Sequence, residues 1–126
     1  MNNLIKPHGG QLCELIASKV RVKQLQEEAL QYSSLTLNGR QICDLEMLLN
    51  GGFSPLKGFL GTADYDCILA NNRLSDNTVW PIPITLDVSE EFSSKLGFDD
   101  KIVLRDFEGV ALAILTISDK WTPDRI

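Results

Sequence analysis

Apolar and polar residues follow several distinct rhythms along this chain, and each rhythm predicts a different element. From Gln11 to Ser18, Leu12, Leu15 and Ile16 fall at i, i+3 and i+4, the spacing of a short amphipathic helix. A second helix is predicted from about Val22 to Tyr32, with Val22, Leu25 and Ala29 on one face and Lys23, Gln26 and Glu27 outside. Ser33-Ser34 ends it, and Leu35-Thr36-Leu37 reads as a short strand. Asn38-Gly39 then breaks the chain before a helix over Arg40–Asn50. There Ile42, Cys43, Leu45, Leu48 and Leu49 form a stripe wide enough for a largely buried helix. Asp44 lies four residues after Arg40, an ion-pair spacing along a helix. Glu46 is on the other side of the stripe, placed to accept hydrogen bonds from amides of the following loop.

The chain is organised around the next turn. Gly51 stands where a left-handed residue closes a helix, and Pro55 follows as expected after a firm stop. Pro55 also biases Ser54 toward extended backbone, fixing the directions of Phe53 and Leu56. So much turn chemistry among Phe53, Leu56, Phe59 and Leu60 predicts a loop folded onto the body of the protein. Its glycines do not follow the spacing of a phosphate loop or a dinucleotide site, so an architectural role explains them better than an anion cradle.

Thr62 is a candidate cap for a helix to about Asn71, with Tyr65, Ile68 and Leu69 inward. Asn71-Asn72 and Ser75-Asp76-Asn77 mark a turn-rich connection. Trp80–Val88 reads as extended, and Pro81 and Pro83 keep its first half at an edge or out of any ladder. Ser89-Glu90-Glu91 opens a short helix through Lys95, closed by Gly97. Lys101–Arg105 and Val110–Ser118 flank the turn Asp106-Phe107-Glu108-Gly109 as a half-buried antiparallel hairpin. The total is an α+β domain: helices mainly in the first half, a small antiparallel sheet or barrel in the second.

Composition narrows the function. The 126 residues, 44% hydrophobic and 23% charged, suit one compact globular domain over residues 1–126. No apolar run approaches the ~20 residues of a membrane helix, and the N-terminus has no signal-peptide core, so a cytoplasmic protein is expected. A net charge of −5 argues against nucleic acid, because phosphate contacts demand clustered Lys and Arg. The densest basic group, Lys19, Arg21 and Lys23, has the pattern of a solvated helix edge. Cys13, Cys43 and Cys67 are far apart and form no metal or disulfide pattern; Cys43 and Cys67 fall in apolar helical patterns, where a thiol is a small core residue. His8, the sole histidine, lies in the N-terminal segment without an acidic neighbour and reads as a surface or interface residue rather than as a ligand contact or the base of a catalytic cysteine.

Several runs carry a family resemblance: Pro7-His8-Gly9-Gly10, Arg40 followed by Asp44-Leu45-Glu46, and Asn50-Gly51-Gly52-Phe53-Ser54-Pro55-Leu56 with Gly58-Phe59-Leu60. Asp64-Tyr65, Trp80, the run Pro81 to Val88, Ala113-Ile114-Leu115 and Trp121-Thr122-Pro123-Asp124 continue it. In this order the chain resembles the N-terminal domain of ATP sulfurylase (sulfate adenylyltransferase), in the form with a fungal-type N-terminus also found in some bacteria. The resemblance implies a PUA-like fold, a small β-barrel with flanking helices, packed against a larger nucleotidyltransferase domain. That enzyme joins sulfate to the AMP part of MgATP, giving adenosine 5′-phosphosulfate and pyrophosphate, by positioning and charge neutralisation without a protein nucleophile.

The family's Gln-x-Arg-Asn, His-x-x-His and Gly-Arg-Asp stretches are absent here; Gly39-Arg40 is followed by Gln41. The resemblance therefore implies a non-catalytic accessory domain that binds no cofactor itself, MgATP belonging to the parent enzyme. The family's domain usually continues somewhat past the Trp121 motif. The expected partner is the catalytic domain of the same parent chain, docked on an exposed apolar patch involving Phe53, Leu56, Phe59 or Trp121, with a homo-oligomeric assembly also compatible. An RNA-binding module, suggested by the PUA-like barrel, is the alternative, weakened by the acidic charge.

Overall fold

The apolar triplet Ile102-Val103-Leu104, bracketed by Lys101 and Arg105, lies at the centre of the sheet. In the computed structural model, which describes residues 8–122, Lys101–Arg105 forms β2, between β1 (Ser33–Thr36) and β3 (Ala111–Thr116). A middle strand is covered on both faces, so Ile102, Val103 and Leu104 are all essentially inaccessible rather than alternating in and out. Each contributes roughly 1.5–3 kcal/mol of apolar burial.

β2 and β3 pair antiparallel through the predicted turn, with Ile102 opposite Leu115 and Leu104 opposite Ala113. Asp106 closes that turn: its Oδ1 accepts the Glu108 and Val110 amides, both at 2.9 Å. A register shift follows at Leu104/Arg105. At the other end, Asp99 (φ 68°) and Asp100 together face Ile117. Asp99 N donates to Ile117 O and Ile117 N to Asp100 O, each 2.8 Å, a bulge whose first residue is left-handed.

β1 runs parallel to β2, Ser33 facing Ile102 and Thr36 facing Arg105, so the sheet is mixed rather than purely antiparallel. Ser33-Ser34 is the start of that strand, not merely the end of the preceding helix. The pairing extends one residue further, where Leu37 N donates to Arg105 O at 2.8 Å.

Four helices complete the described chain: α1 (Lys19–Ala29), α2 (Gly39–Leu49), α3 (Thr62–Asn71) and α4 (Glu90–Ser94), after a short 3-10 turn at His8–Gly10. Ser18 caps α1 by accepting the Arg21 amide, and Ser89 caps α4 by accepting the Phe92 amide. Lys120 closes the far end of α4, its Nζ donating to the Ser93 carbonyl at 3.0 Å and to the Leu96 carbonyl. Asn38 and Gln41 form a reciprocal box at the start of α2: Gln41 N donates to Asn38 Oδ1 at 2.8 Å and Asn38 N to Gln41 Oε1 at 2.9 Å. α3 starts differently from expectation. Its cap is Gly61, with no side-chain bond, and Thr62 is already helical.

The chain divides into two compact units. One holds the described residues up to Ile16 together with Cys43–Thr85; the other holds Ala17–Ile42 and the described residues from Leu86. The first is built on Leu48, Leu56, Leu60, Ile68, Leu74 and Ile84, with Phe53, Phe59 and Trp80 packed against them. Within it residues 80–85 run outside any ladder, as Pro81 and Pro83 dictate, and Leu60 N donates to Ile84 O at 2.8 Å. The second unit is the sheet, with α1 packed on β3.

Three expectations fail for identifiable reasons. Gln11–Ser18 is not a helix. Its amides are used at long range, Cys13 N donating to Ser54 Oγ (2.9 Å) and Leu15 N to Leu49 O (2.8 Å), where a helix begun at Gln11 would return Leu15 N to Gln11 O. Arg40 pairs with Asp87 at 3.3 Å rather than with Asp44. Cys43 and Leu69 face outward, each one position off the inner stripe of its helix, where Leu45, Leu48 and Ile68 are the buried members.

Candidate functional site

The feature with the most specific local geometry is the turn after α2 and the N-terminal segment laid against it, all within one unit. Gly51 adopts φ +84°, so a side chain here would be strained, and a Cβ would also lie 2.9 Å from Leu12 Cδ1. Gly9, at φ +75°, approaches so closely that a Cβ would lie 2.7 Å from Pro55 Cγ. The Ser54–Pro55 peptide bond is cis. Ser54 is the polar centre of the arrangement. It is buried, its Oγ accepts the Cys13 amide at 2.9 Å, and the same hydroxyl donates to Gly51 O at 2.6 Å. The Cys13 thiol donates to Pro55 O at 3.3 Å.

An aromatic group lies beside this turn. Phe53 meets Trp80 edge-on with ring centroids 5.8 Å apart, and the His8 ring is 5.7 Å from Trp80 at a 45° tilt. His8 Nε2 donates to Val79 O at 2.5 Å, and Trp80 Nε1 is buried without a hydrogen-bond partner among the described residues. His8 and Cys13 thus each hold a backbone carbonyl rather than each other, so no thiolate–imidazole pair forms.

The residues expected to dock a partner take mostly interior places. Leu56 is only 6% exposed and belongs to the core cluster, while Phe53 and Phe59 are half-buried against it. Trp121 is half-buried. None of the four is an exposed apolar side chain. The exposed apolar residues near the double glycine are instead Leu12, Leu15, Ile16 and Met47. An exposed leucine inside a presumed helix gave no sequence signal for this.

Several charged groups are committed locally. Arg105 Nε donates to Ser34 Oγ (2.9 Å) and its NH1 to Gly109 O (2.9 Å); Arg73 NH1 donates to Asn77 O (3.0 Å). Arg21 pairs with Glu28 at 3.6 Å and Arg40 with Asp87 at 3.3 Å, in the open. Asp64 Oδ1 accepts both the amide and hydroxyl of Ser75 at 2.7 Å. The Thr78 amide, and then its hydroxyl, hold the exposed Asp76 carboxyl below its ordinary range. Among the described residues no group of three His, Cys, Asp or Glu side chains is arranged for a metal ion, and no helix is long and apolar enough to cross a membrane.

Comparison with known proteins identifies a family. A PUA-like domain family model matches residues 5–126. The chain is 45% identical over 123 residues to a sulfate adenylyltransferase of Eremothecium gossypii, covering 97% of this chain and 25% of that protein. It is 50% identical over 122 residues to a sulfate adenylyltransferase of Kluyveromyces lactis, covering 94% of this chain and 24% of that one. Among solved structures it is similar to a hexameric APS kinase from Thiobacillus denitrificans, with a TM-score of 0.85 and 42% identity over 95% of this chain and 24% of the other. The chain therefore spans about a quarter of the length of the relatives it matches. With an α+β architecture and a family match over nearly its whole length, this chain belongs to the PUA-like domain family, in the form that sulfate adenylyltransferases carry.

Proposed function

We propose that this chain is the N-terminal accessory domain of a sulfate adenylyltransferase, that it does not itself catalyse adenylyl transfer, and that it supports and docks on the remainder of the parent chain. The observation that carries the reading is one of proportion: 94% of this chain aligns at 50% identity to only 24% of the Kluyveromyces lactis protein. The local chemistry supports it. Transfer to sulfate needs cations gathered around phosphorus. Here Arg21, Arg40, Arg73, Arg105 and Lys120 each bond a neighbouring carboxylate, amide, hydroxyl or carbonyl. MgATP and sulfate, on this reading, bind elsewhere in the parent, and the parent assembles as an oligomer, as the hexameric relative suggests.

The test is direct. Mixed with MgATP and sulfate, the chain gives no adenosine 5′-phosphosulfate, and titration with a non-hydrolysable MgATP analogue or with sulfate gives no heat; turnover by these residues alone sinks the reading. The PUA-like fold is the single observation favouring an RNA module, and a net charge of −5 opposes it. Salt-dependent retention of RNA on a filter would favour that alternative.

A further inference from the structure

We infer that Leu12, Leu15, Ile16 and Met47 form the docking surface of this domain, and that its occupant is an apolar segment flanked by Lys or Arg, contributed by the remainder of the parent chain. The inference rests on the accessory-domain reading and deepens it. These side chains are 59%, 40%, 61% and 38% exposed, all in one compact unit. The double-glycine turn holds two of them, and Leu15 and Ile16 follow Leu12 along the same segment. Leu12 Cδ1 lies over Gly51 and Met47 Cε over Gly52, 2.9 and 2.5 Å from where a Cβ would stand, and Leu15 N is bonded to Leu49 O at the end of α2. The missing Cβ atoms at 51 and 52 are what let both side chains lie close upon the turn.

The exposure is not the consequence of loose chain. Both flanks are pinned: Cys13 N to Ser54 Oγ, Leu15 N to Leu49 O, and Phe53 N to Met47 O at 3.0 Å. A segment fixed by its backbone while most of its large apolar side chains face outward presents a rigid surface, and a rigid partner surface costs little ordering entropy on association. Four large apolar groups together exceed the scattered singles of an ordinary monomer surface.

Two observations select the occupant. About three quarters of the matched relatives' length is absent from this chain, so the parent holds ample sequence to cover the patch. The two segments that carry these side chains are also acidic, with the first lysines, Lys19 and Lys57, just beyond them. Glu14 and Glu46 are exposed, Asp44 is nearby in sequence, and neither residues 8–18 nor 43–56 contain a Lys or Arg. A second copy of the same face would oppose carboxylate to carboxylate, whereas a basic-rimmed apolar segment would complement it.

The experiment compares amide hydrogen exchange in the isolated chain and in the whole Kluyveromyces lactis sulfate adenylyltransferase over the segments aligned with 11–18 and 46–52. Protection at least tenfold greater in the whole enzyme is the expected result. Equal protection in both overturns the docking surface while leaving the accessory-domain reading intact, since that reading stands or falls on turnover by the isolated chain. Sedimentation of the isolated chain is the second arm: a dimer that the double substitution Leu12→Asp, Ile16→Asp dissolves would make the occupant a second copy and overturn the proposal. The same double variant, altering only outward-facing side chains, melts within about 2 °C of the wild type; a large loss of stability would show these side chains packed inward and would refute it as well.

Discussion

Replacing Ser54 by Ala removes one oxygen, and the hydrogen bonds around it set the size of the effect. Ser54 Oγ is the acceptor for the buried Cys13 amide and also donates to Gly51 O. Gly51 O is not orphaned by the change, because Ser54 N donates to it as well, at 3.1 Å. Cys13 N has no such reserve. A buried amide stripped of its acceptor costs about 1–3 kcal/mol, and alanine leaves too small a space for a cavity penalty, so the expected loss is about 2 kcal/mol. For a chain of this length that corresponds to roughly 6–10 °C in Tm. The assay is a urea melt paired with hydrogen exchange at Cys13 and Leu15. Both amides should exchange faster, because the hydroxyl anchors the segment that carries them. The control is Ser54→Thr, which keeps the acceptor and should retain the protection at Cys13. A Ser54→Ala protein that loses less than about 0.5 kcal/mol, with unchanged exchange at Cys13, would refute the idea that this hydroxyl holds the N-terminal segment down.

Other outcomes rest on local chemistry. Gln41→Ala should cost about 1–2 kcal/mol, because Gln41 is buried, closes the box with Asn38, and donates from Nε2 to Asp87 O at 3.2 Å. Arg40→Gln, which breaks an ion pair between two exposed side chains, should cost less than about 0.5 kcal/mol, so the denaturation midpoints of the two neighbours separate clearly. Asp76 should titrate below the ordinary aspartate value in an NMR pH series. Its folded pKa is lowered, so its contribution is present above the unfolded value and lost as pH falls through the folded one. Thr78→Val removes only the smaller, hydroxyl share, and the midpoint should stay low because the Thr78 amide remains; a return to the ordinary value would contradict that ordering.

Much of this fold was legible where local signals agree with one another. α2 begins and ends within a residue of its pattern because Asn38, Gln41 and Gly51 all supply the chemistry of helix ends. The Asp106–Gly109 turn was readable for the same reason: Asp106 and Gly109 are turn residues, flanked by strand formers. The failures are non-local. Leu12, Leu15 and Ile16 have helical spacing, but spacing says nothing of Ser54 and Leu49, distant groups that claim the amides of this segment. β1 is short and polar, and its parallel partner lies far along the chain, so no window of sequence contains the pair. Which apolar side chains stay exposed was misread by the same logic. Phe53 and Leu56 are conspicuous in sequence, but the turn directs them inward, and the less conspicuous Leu12 and Ile16 are left outside.

The attachment of residues 11–18 has a consequence for how this protein can change over time. On the segment's own side the fastenings at Cys13 and Leu15 are peptide groups, met by the Ser54 hydroxyl and the Leu49 carbonyl, and Cys13 is its one buried side chain. Mutation can therefore reword positions 12, 15 and 16 without loosening the strap that bears them. A lineage can renegotiate what this face recognises while the scaffold beneath it stands still.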